Sequence, residues 1–310
     1  MNPKFYIFCS WLLFFAFTNA QEKEYNTAQI IVNDFVHGTL LTPYSEENTA
    51  LVIFVMDAGE INRDGNDRLS KNNTFKKLAI ELAKQGIATF RYDKRILRAS
   101  ALGLQAQNIK LQDFVTDLQA AIHYFVTNNS YQKIVILGHG QGSLVGMLAI
   151  NDHIDSFISI AGNAQSIDNI IVQQLEQQAP GLDNNAARAF AEIKVKGSTK
   201  NYDPVLENIF GSEVQPFIKS WMQYNPTEII SEITIPSLII QGDKDLQVAV
   251  EEAQELYENA SDAELKIFSS MNHILRKIDG DRLENQKSYN EYWRDIMPEL
   301  IKAITTFVNK

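Results

Sequence analysis

The chain has 310 residues, 45% apolar and 21% charged, with one cysteine and a formal net charge of −10 from 28 basic and 38 acidic side chains. That length buries enough surface to fold without disulfides or a structural metal. The acidic balance and the lack of a basic run argue against nucleic-acid binding and leave small molecules or peptides as the expected partners. Cys9 lies in an apolar N-terminal stretch, so thiolate metal sites, cysteine nucleophiles and disulfide frameworks are excluded for the rest of the chain. Neither a metal nor an organic cofactor is expected.

Lys4, an apolar run from Phe5 to Phe17 and the small residues before Gln21 form the pattern of a secretory signal peptide over residues 1–20, with cleavage expected after Ala20. The run falls short of the roughly 20 residues that span a bilayer. The expected product is therefore secreted or periplasmic, without an integral membrane segment.

Beyond it the pattern alternates strand and helix. Residues 29–32 and 38–42 read as edge strands, and 50–55, Ala-Leu-Val-Ile-Phe-Val, as a strand buried on both faces. A helix is expected over 73–85, ending at Gly86. Then come a strand at 87–92, a helix at 111–127, a strand at 133–137, a helix at 141–150 and a strand at 157–160. After a break follow a strand at 237–240, a helix at 248–259, a strand at 265–268 and a closing helix at 289–308. Repeated β-α-β units predict an α/β fold with a mostly parallel sheet covered by helices on both faces. The break carries amphipathic stretches at 167–178 and 185–195 and is too rich in Phe190, Phe210, Phe217, Trp221 and Met222 for a disordered linker. Residues 163–232 are accordingly expected to form a helical cap, inserted between core segments 21–162 and 233–310.

The chemistry concentrates after Ile134-Val135-Ile136-Leu137, in the turn Gly138-His139-Gly140-Gln141-Gly142-Ser143. Two mechanisms use a strand, a glycine turn and a helix. A dinucleotide fingerprint needs a third glycine where Ser143 stands and an acid at the tip of the next strand, which ends Ile160-Ala161-Gly162. A nucleophile elbow, G-x-S-x-G, fits the flanking glycines but has Gly140 at its centre. Downstream residues favour the elbow. Gly242-Asp243-Lys244-Asp245 follows a buried strand, and Asn272-His273 follows the next one. Nucleophile, acid and histidine in that order, each at a strand's carboxyl end, suit a Ser-His-Asp arrangement with His273 as base and Asp245 holding its tautomer.

These motifs, with Asn62-Arg63-Asp64-Gly65-Asn66 and Arg91-Tyr92-Asp93-Lys94-Arg95, resemble the α/β-hydrolases, in particular the serine-aminopeptidase-like and secreted acyl-hydrolase branch. The resemblance implies hydrolysis of an ester, amide or peptide acyl substrate, with the backbone N–H groups of Ala58 and Gln141 as the oxyanion hole. It also shows three departures. Gly140 stands where the family has its serine, Asp57-Ala58-Gly59-Glu60 where it commonly has Gly-Ser-Gly-Pro, and Ile96 where a glycine is usual.

Glycine at position 140 leaves a hydrolase frame without its attacking atom, either as a knockout or as a natural pseudo-hydrolase. The alternatives are a non-catalytic binding protein on the same scaffold, a water-activating His273–Asp245 pair, and a dinucleotide-dependent oxidoreductase. A Gly140→Ser protein is expected to hydrolyse nitrophenyl esters if the knockout reading holds. Ser143 is expected to be a hydrogen-bonding residue of the first helical turn, and His139 a packing residue. Asp93 and Arg95 are expected to fix the loop near the site through an ion pair. Trp221 and Tyr224, in a last cap helix before Pro226, are expected to line the substrate pocket.

Overall fold

The computed structural model describes residues 24–44, 50–128 and 131–310; the expected signal peptide, with Cys9 and Ala20, lies outside them. The described strands are β1 (Tyr25–Ile31), β2 (His37–Pro43), β3 (Leu51–Val55), β4 (Ala88–Tyr92), β5 (Ile134–His139), β6 (Ser156–Ile160), β7 (Ser237–Gly242) and β8 (Ala263–Phe268). They form one sheet in the order β1-β2-β4-β3-β5-β6-β7-β8. β1, β2 and β4 pair antiparallel, and every pairing from β4 through β3 to β8 is parallel. All residues of β3, β4, β5 and β6 are buried, as strands covered on both faces are, and β3 is apolar throughout.

The helices are α1 (Thr74–Lys84), α2 (Ile96–Ala99), α3 (Leu111–Asn128), α4 (Gln141–Ala149), α5 (Ile167–Gln178), α6 (Asp183–Lys196), α7 (Glu207–Phe210), α8 (Gln215–Trp221), α9 (Pro226–Ser231), α10 (Val250–Asn259), α11 (Arg282–Ser288) and α12 (Pro298–Val308). One core joins α3, α4 and α10 to a face of the sheet, through residues such as Phe125, Val145 and Leu256. A second joins α1 and α12 to the other face, through Phe75, Leu82 and Leu300.

The closing helix is shorter than expected. It starts at Pro298, whose ring fits a first helical turn but lacks the N–H an interior position needs, and most of the preceding residues run irregularly from α11.

Helices α5 to α9 lie between β6 and β7 and hold a small core of their own around Phe190, Ile193, Phe210 and Ile218. They lean on the start of α3, where Ser220 Oγ accepts the Leu111 N–H at 2.9 Å and Phe217 meets Phe114 at 5.8 Å between ring centroids.

Asp93 and Arg95 do fix the loop after β4, but each with a distant partner. Asp93 accepts from the Arg63 backbone N–H at 2.9 Å and from Arg63 Nε at 3.0 Å. Arg95 forks onto Asp117 with bonds of 2.8 and 2.7 Å and reaches Asp113 at 3.0 Å. The Asp117 carboxylate is almost fully buried. An Arg95→Met variant leaves that charge without its partner and is expected to lose about 3–5 kcal/mol in urea unfolding. A loss below about 1 kcal/mol, the range of an exposed pair, would contradict this.

The decisive placement is that of β3 against β5. They are parallel neighbours, with Val55 in register with Gly138, so the residues leaving β3 come alongside the turn leaving β5. The strand order also switches direction at β3, which has β4 on one side and β5 on the other. Open sheets of this kind gather their sites at such a point, outside the carboxyl ends of the strands.

Candidate active site

Gly140 joins β5 to α4 with φ 54° and ψ −120°, a backbone region that strains any residue with a Cβ. The turn is tight, and a Cβ at Gly142 would overlap the Val55 carbonyl. Ser143 sits in the first turn of α4 as expected, its hydroxyl 2.7 Å from that of Ser159 and away from the other site residues.

Asp245 and His273 come together from the loops after β7 and β8. His273 Nδ1–H donates to Asp245 Oδ2 at 2.8 Å. Asp245 is held in turn by the Gln247 and Val248 N–H groups at 2.7 and 3.0 Å and by the Gln241 amide at 3.0 Å. This is the orienting arrangement of a carboxylate–histidine pair.

On its other side His273 meets a residue that sequence reasoning passed over. Nε2–H donates to Asp57 Oδ2 at 2.9 Å. The other carboxylate oxygen, Asp57 Oδ1, accepts the N–H of Ala58 at 2.6 Å and of Gln141 at 2.8 Å. The two expected oxyanion donors thus converge on one point, and the point is already filled. A Cβ at Gly140 would overlap this same carboxylate. Asp57 therefore takes the space of both the serine side chain and the oxyanion. The signal was present in two departures, glycine for serine at position 140 and aspartate for glycine at position 57; what joins them is the pairing of β3 with β5.

The charges are mutually dependent. Burial opposes ionisation of Asp57, but the His273 hydrogen bond and charge, with His139 and the Gln141 N–H, hold it well below the usual carboxylate range. Burial likewise opposes the His273 charge, and Asp245 and Asp57 together overcome it, raising the imidazole to about 10. His139 goes the other way. Burial, with the neighbouring His273 charge, lowers it to about 4, so it stays neutral. Its Nε2–H donates to the His273 carbonyl at 2.8 Å and its ring packs against Phe75, which makes it a packing and hydrogen-bonding residue.

Lys94 is a second buried charge. Its ammonium donates to the Asp57 carbonyl at 2.6 Å and to Gln141 Oε1 at 3.0 Å and lies over the Phe114 ring, clamping the loop after β3 to the elbow. Burial pulls it down to about 8.

Asp57, His139 and His273 bring three donor atoms within 4.8 Å of one another. His273 Nε2, however, carries the hydrogen it gives to Asp57, so in this arrangement it offers a cation no lone pair.

Two cavities border different parts of the site. A void of about 10 Å³, room for one water at most, lies between Gly140, Gln141, Trp221 and Pro226. A larger cavity of about 250 Å³ is lined by Asp57, Phe75, His139, His273, Ile274 and Tyr289 among others. Trp221 thus borders the elbow. Tyr224 does not: it follows α8 instead of belonging to it, lines a separate depression with Gln165 and Asn169, and donates its hydroxyl to Gln112 at 3.0 Å.

Comparison with known proteins agrees with this architecture. Residues 69–205 match the family described as serine aminopeptidase, S33. Esterase EstD of Thermotoga maritima is 24% identical over 266 residues, 83% of this chain; the chain spans 62% of that protein's length. The solved structure of Est1E from Butyrivibrio proteoclasticus superposes with a TM-score of 0.56 at 16% identity, covering 91% of this chain and 98% of its own. The Pyrococcus furiosus esterase Pf2001 gives 0.56 at 17% identity, covering 92% and 91%. The chain has the α/β-hydrolase fold. Among the described residues no helix is long and apolar enough to cross a membrane.

On this fold a serine at position 140 cannot be added without moving Asp57. Gly140→Ser alone is therefore expected to lose stability, by about 2–4 kcal/mol from backbone strain and overpacking, and to gain no nitrophenyl esterase. Thermal unfolding and a 4-nitrophenyl butyrate assay check both halves. Activity on restoring the serine alone would instead favour the knockout reading.

Proposed function

We propose that this protein is an exported α/β-hydrolase that has given up acyl transfer through an elbow serine. The chain as it stands does not hydrolyse esters or amides by that route. One observation carries the reading: Asp57 Oδ1 accepts both N–H groups that would hold an acyl oxyanion. A substrate carbonyl has no donors left to bind, and Gly140 has no atom to attack it. The concerted fit of Asp57 and Gly140 favours a natural site of changed chemistry over a single knocked-out serine, because a knockout alone would not supply an aspartate shaped to the vacancy.

The test is direct. The unaltered protein is expected to resist labelling by a fluorophosphonate and to leave 4-nitrophenyl butyrate at its background rate. A fluorophosphonate adduct on any serine near the elbow would overturn the reading. A binding protein on the hydrolase scaffold remains the second reading, favoured by the open cavity of about 250 Å³ beside Asp57.

A further inference from the structure

We infer that His139, His273 and Asp57 form a binding site for a divalent transition-metal ion of the zinc class, held through His139 Nδ1, His273 Nε2 and the Asp57 carboxylate. The site goes beyond the loss of serine acyl transfer and stands on separate observations.

The first observation is an unpartnered nitrogen. His139 ends β5, buried, and its Nε2–H is taken up by the His273 carbonyl at 2.8 Å. In the neutral ring the free lone pair is then on Nδ1. That atom is buried and has no hydrogen-bond partner among the described residues, where buried polar groups nearly always have one. It lies 3.9 Å from Asp57 Oδ2. Both atoms are acceptors, so neither satisfies the other, and a positive centre suits the pair.

The spacing and the outer contacts make that centre a metal ion. Bonds of about 2.0–2.2 Å to a zinc-sized ion set neighbouring ligand atoms about 3.0–3.5 Å apart. His273 Nε2 and Asp57 Oδ2 are 2.9 Å apart, and the three donor atoms lie within 4.8 Å of one another. Side-chain movements of about an ångström therefore close them onto an ion. Each ligand is already oriented through an atom it does not offer. His273 Nδ1–H donates to Asp245 at 2.8 Å, His139 Nε2–H donates to a backbone carbonyl, and Asp57 Oδ1 accepts the Ala58 and Gln141 N–H groups. Metal-bound histidines and carboxylates have outer partners of this kind. When the ion enters, His273 Nε2 gives up the hydrogen it shares with Asp57, and that proton leaves to solvent. Asp57 and Asp245, whose carboxylates flank His273, then act on an ion of twice the proton's charge. The Lys94 ammonium does not compete for these atoms, since it donates to the Asp57 backbone carbonyl and to Gln141 Oε1. Two imidazoles and one carboxylate favour zinc or a first-row neighbour over calcium and magnesium, which take oxygen ligands. Three protein ligands leave a position for water, and the cavity of about 250 Å³ that all three residues line gives it room.

The experiment titrates Zn²⁺ into the metal-free full-length protein, without a polyhistidine tag, by isothermal calorimetry. One ion per chain is expected. Affinity is expected to fall by at least about 10²-fold in His139→Gln, which keeps a donor for the His273 carbonyl but removes Nδ1, and by about 10–100-fold in Asp245→Asn, which changes an outer contact alone. Mg²⁺ at the same concentrations is expected to give no saturable heat. Should His139→Gln fail to fold, the imidazole ¹⁵N shifts of the parent decide, since Zn²⁺ is expected to move His139 Nδ1 and His273 Nε2. Shifts confined to His37, His123 or His153 would mean surface binding and overturn the inference. Equal affinity in the parent and His139→Gln, no saturable Zn²⁺ binding by the parent, or Mg²⁺ bound as tightly as Zn²⁺ would overturn it as well.

Discussion

Asp57→Gly combined with Gly140→Ser is expected to create an esterase that neither parent nor single variant provides. Each change alone fails for a different reason. Gly140→Ser drives its Cβ into the Asp57 carboxylate. Asp57→Gly empties the oxyanion hole but leaves nothing to attack. Together they free the Ala58 and Gln141 N–H groups for a substrate oxyanion and place a hydroxyl beside His273, which Asp245 already orients at 2.8 Å. The double change also removes one of the two carboxylates that hold His273 protonated, and so shifts it toward the neutral form a general base needs. Losing a triad nucleophile costs about six powers of ten in kcat, and an improvised site recovers a fraction of that. The expected gain in kcat/KM for 4-nitrophenyl butyrate is at least about 10²-fold over either single variant, one preorganised donor being worth that much. A fluorophosphonate is expected to label position 140. A double variant that folds at the parent's midpoint yet shows no gain would mean that the surrounding frame no longer supports acyl transfer.

The extent to which this site was legible in the sequence follows from what sequence patterns record. The sheet was legible because β3, β5 and β7 are short apolar runs whose burial on both faces leaves no polar alternation, and because each is followed by a helix or a glycine turn. Asp245 and His273 were legible because chain order alone places them after consecutive strands. Asp57 was not, although it lay in plain view as a departure from Gly-Ser-Gly-Pro. It sits 84 positions before Gln141, to whose N–H it bonds, and only the parallel register of β3 with β5 turns that separation into contact. Tyr224 was misplaced for the opposite reason. It is near Trp221 in sequence, but α8 ends at Trp221 and the chain turns the phenol toward Gln112. The pairing of two departures, where the small residue replaced the large one and the large the small, is the kind of signal that a motif-by-motif reading divides.

The charges around Asp57 give the site a pH signature that needs no substrate. Take His273 first. Its ordinary value of 6.5 rises to about 10 in the folded protein, so above pH 6.5 the unfolded chain has lost a proton that the folded one keeps. Its stabilising contribution is complete below 6.5 and is lost as the pH climbs towards 10. His139 has the opposite sign. With its value lowered from 6.5 to about 4, the folded state refuses a proton that the unfolded chain takes up, and stability falls as the pH drops below 6.5. Lys94, lowered from 10.5 to about 8, adds a term that grows with pH between those two values and opposes His273 there. The parent is thus expected to be most stable near pH 6.5. It should weaken towards pH 8 at no more than about 1.4 kcal/mol per pH unit, and then level off as the Lys94 term cancels the His273 term. Asp57→Asn keeps the shape of the carboxylate but turns an NH₂ group toward His273 Nε2, which favours the neutral ring. The decline between pH 6.5 and 8 is expected to become shallower in that variant, because Asp245 still favours the charged ring, while the loss below 6.5 persists because His139 remains buried. Thermal unfolding of the two proteins across pH 5 to 10 separates the cases. An unchanged alkaline decline in Asp57→Asn would show that the His273 proton is not held by Asp57, and the Asp57–His273–Asp245 arrangement would lose its electrostatic basis.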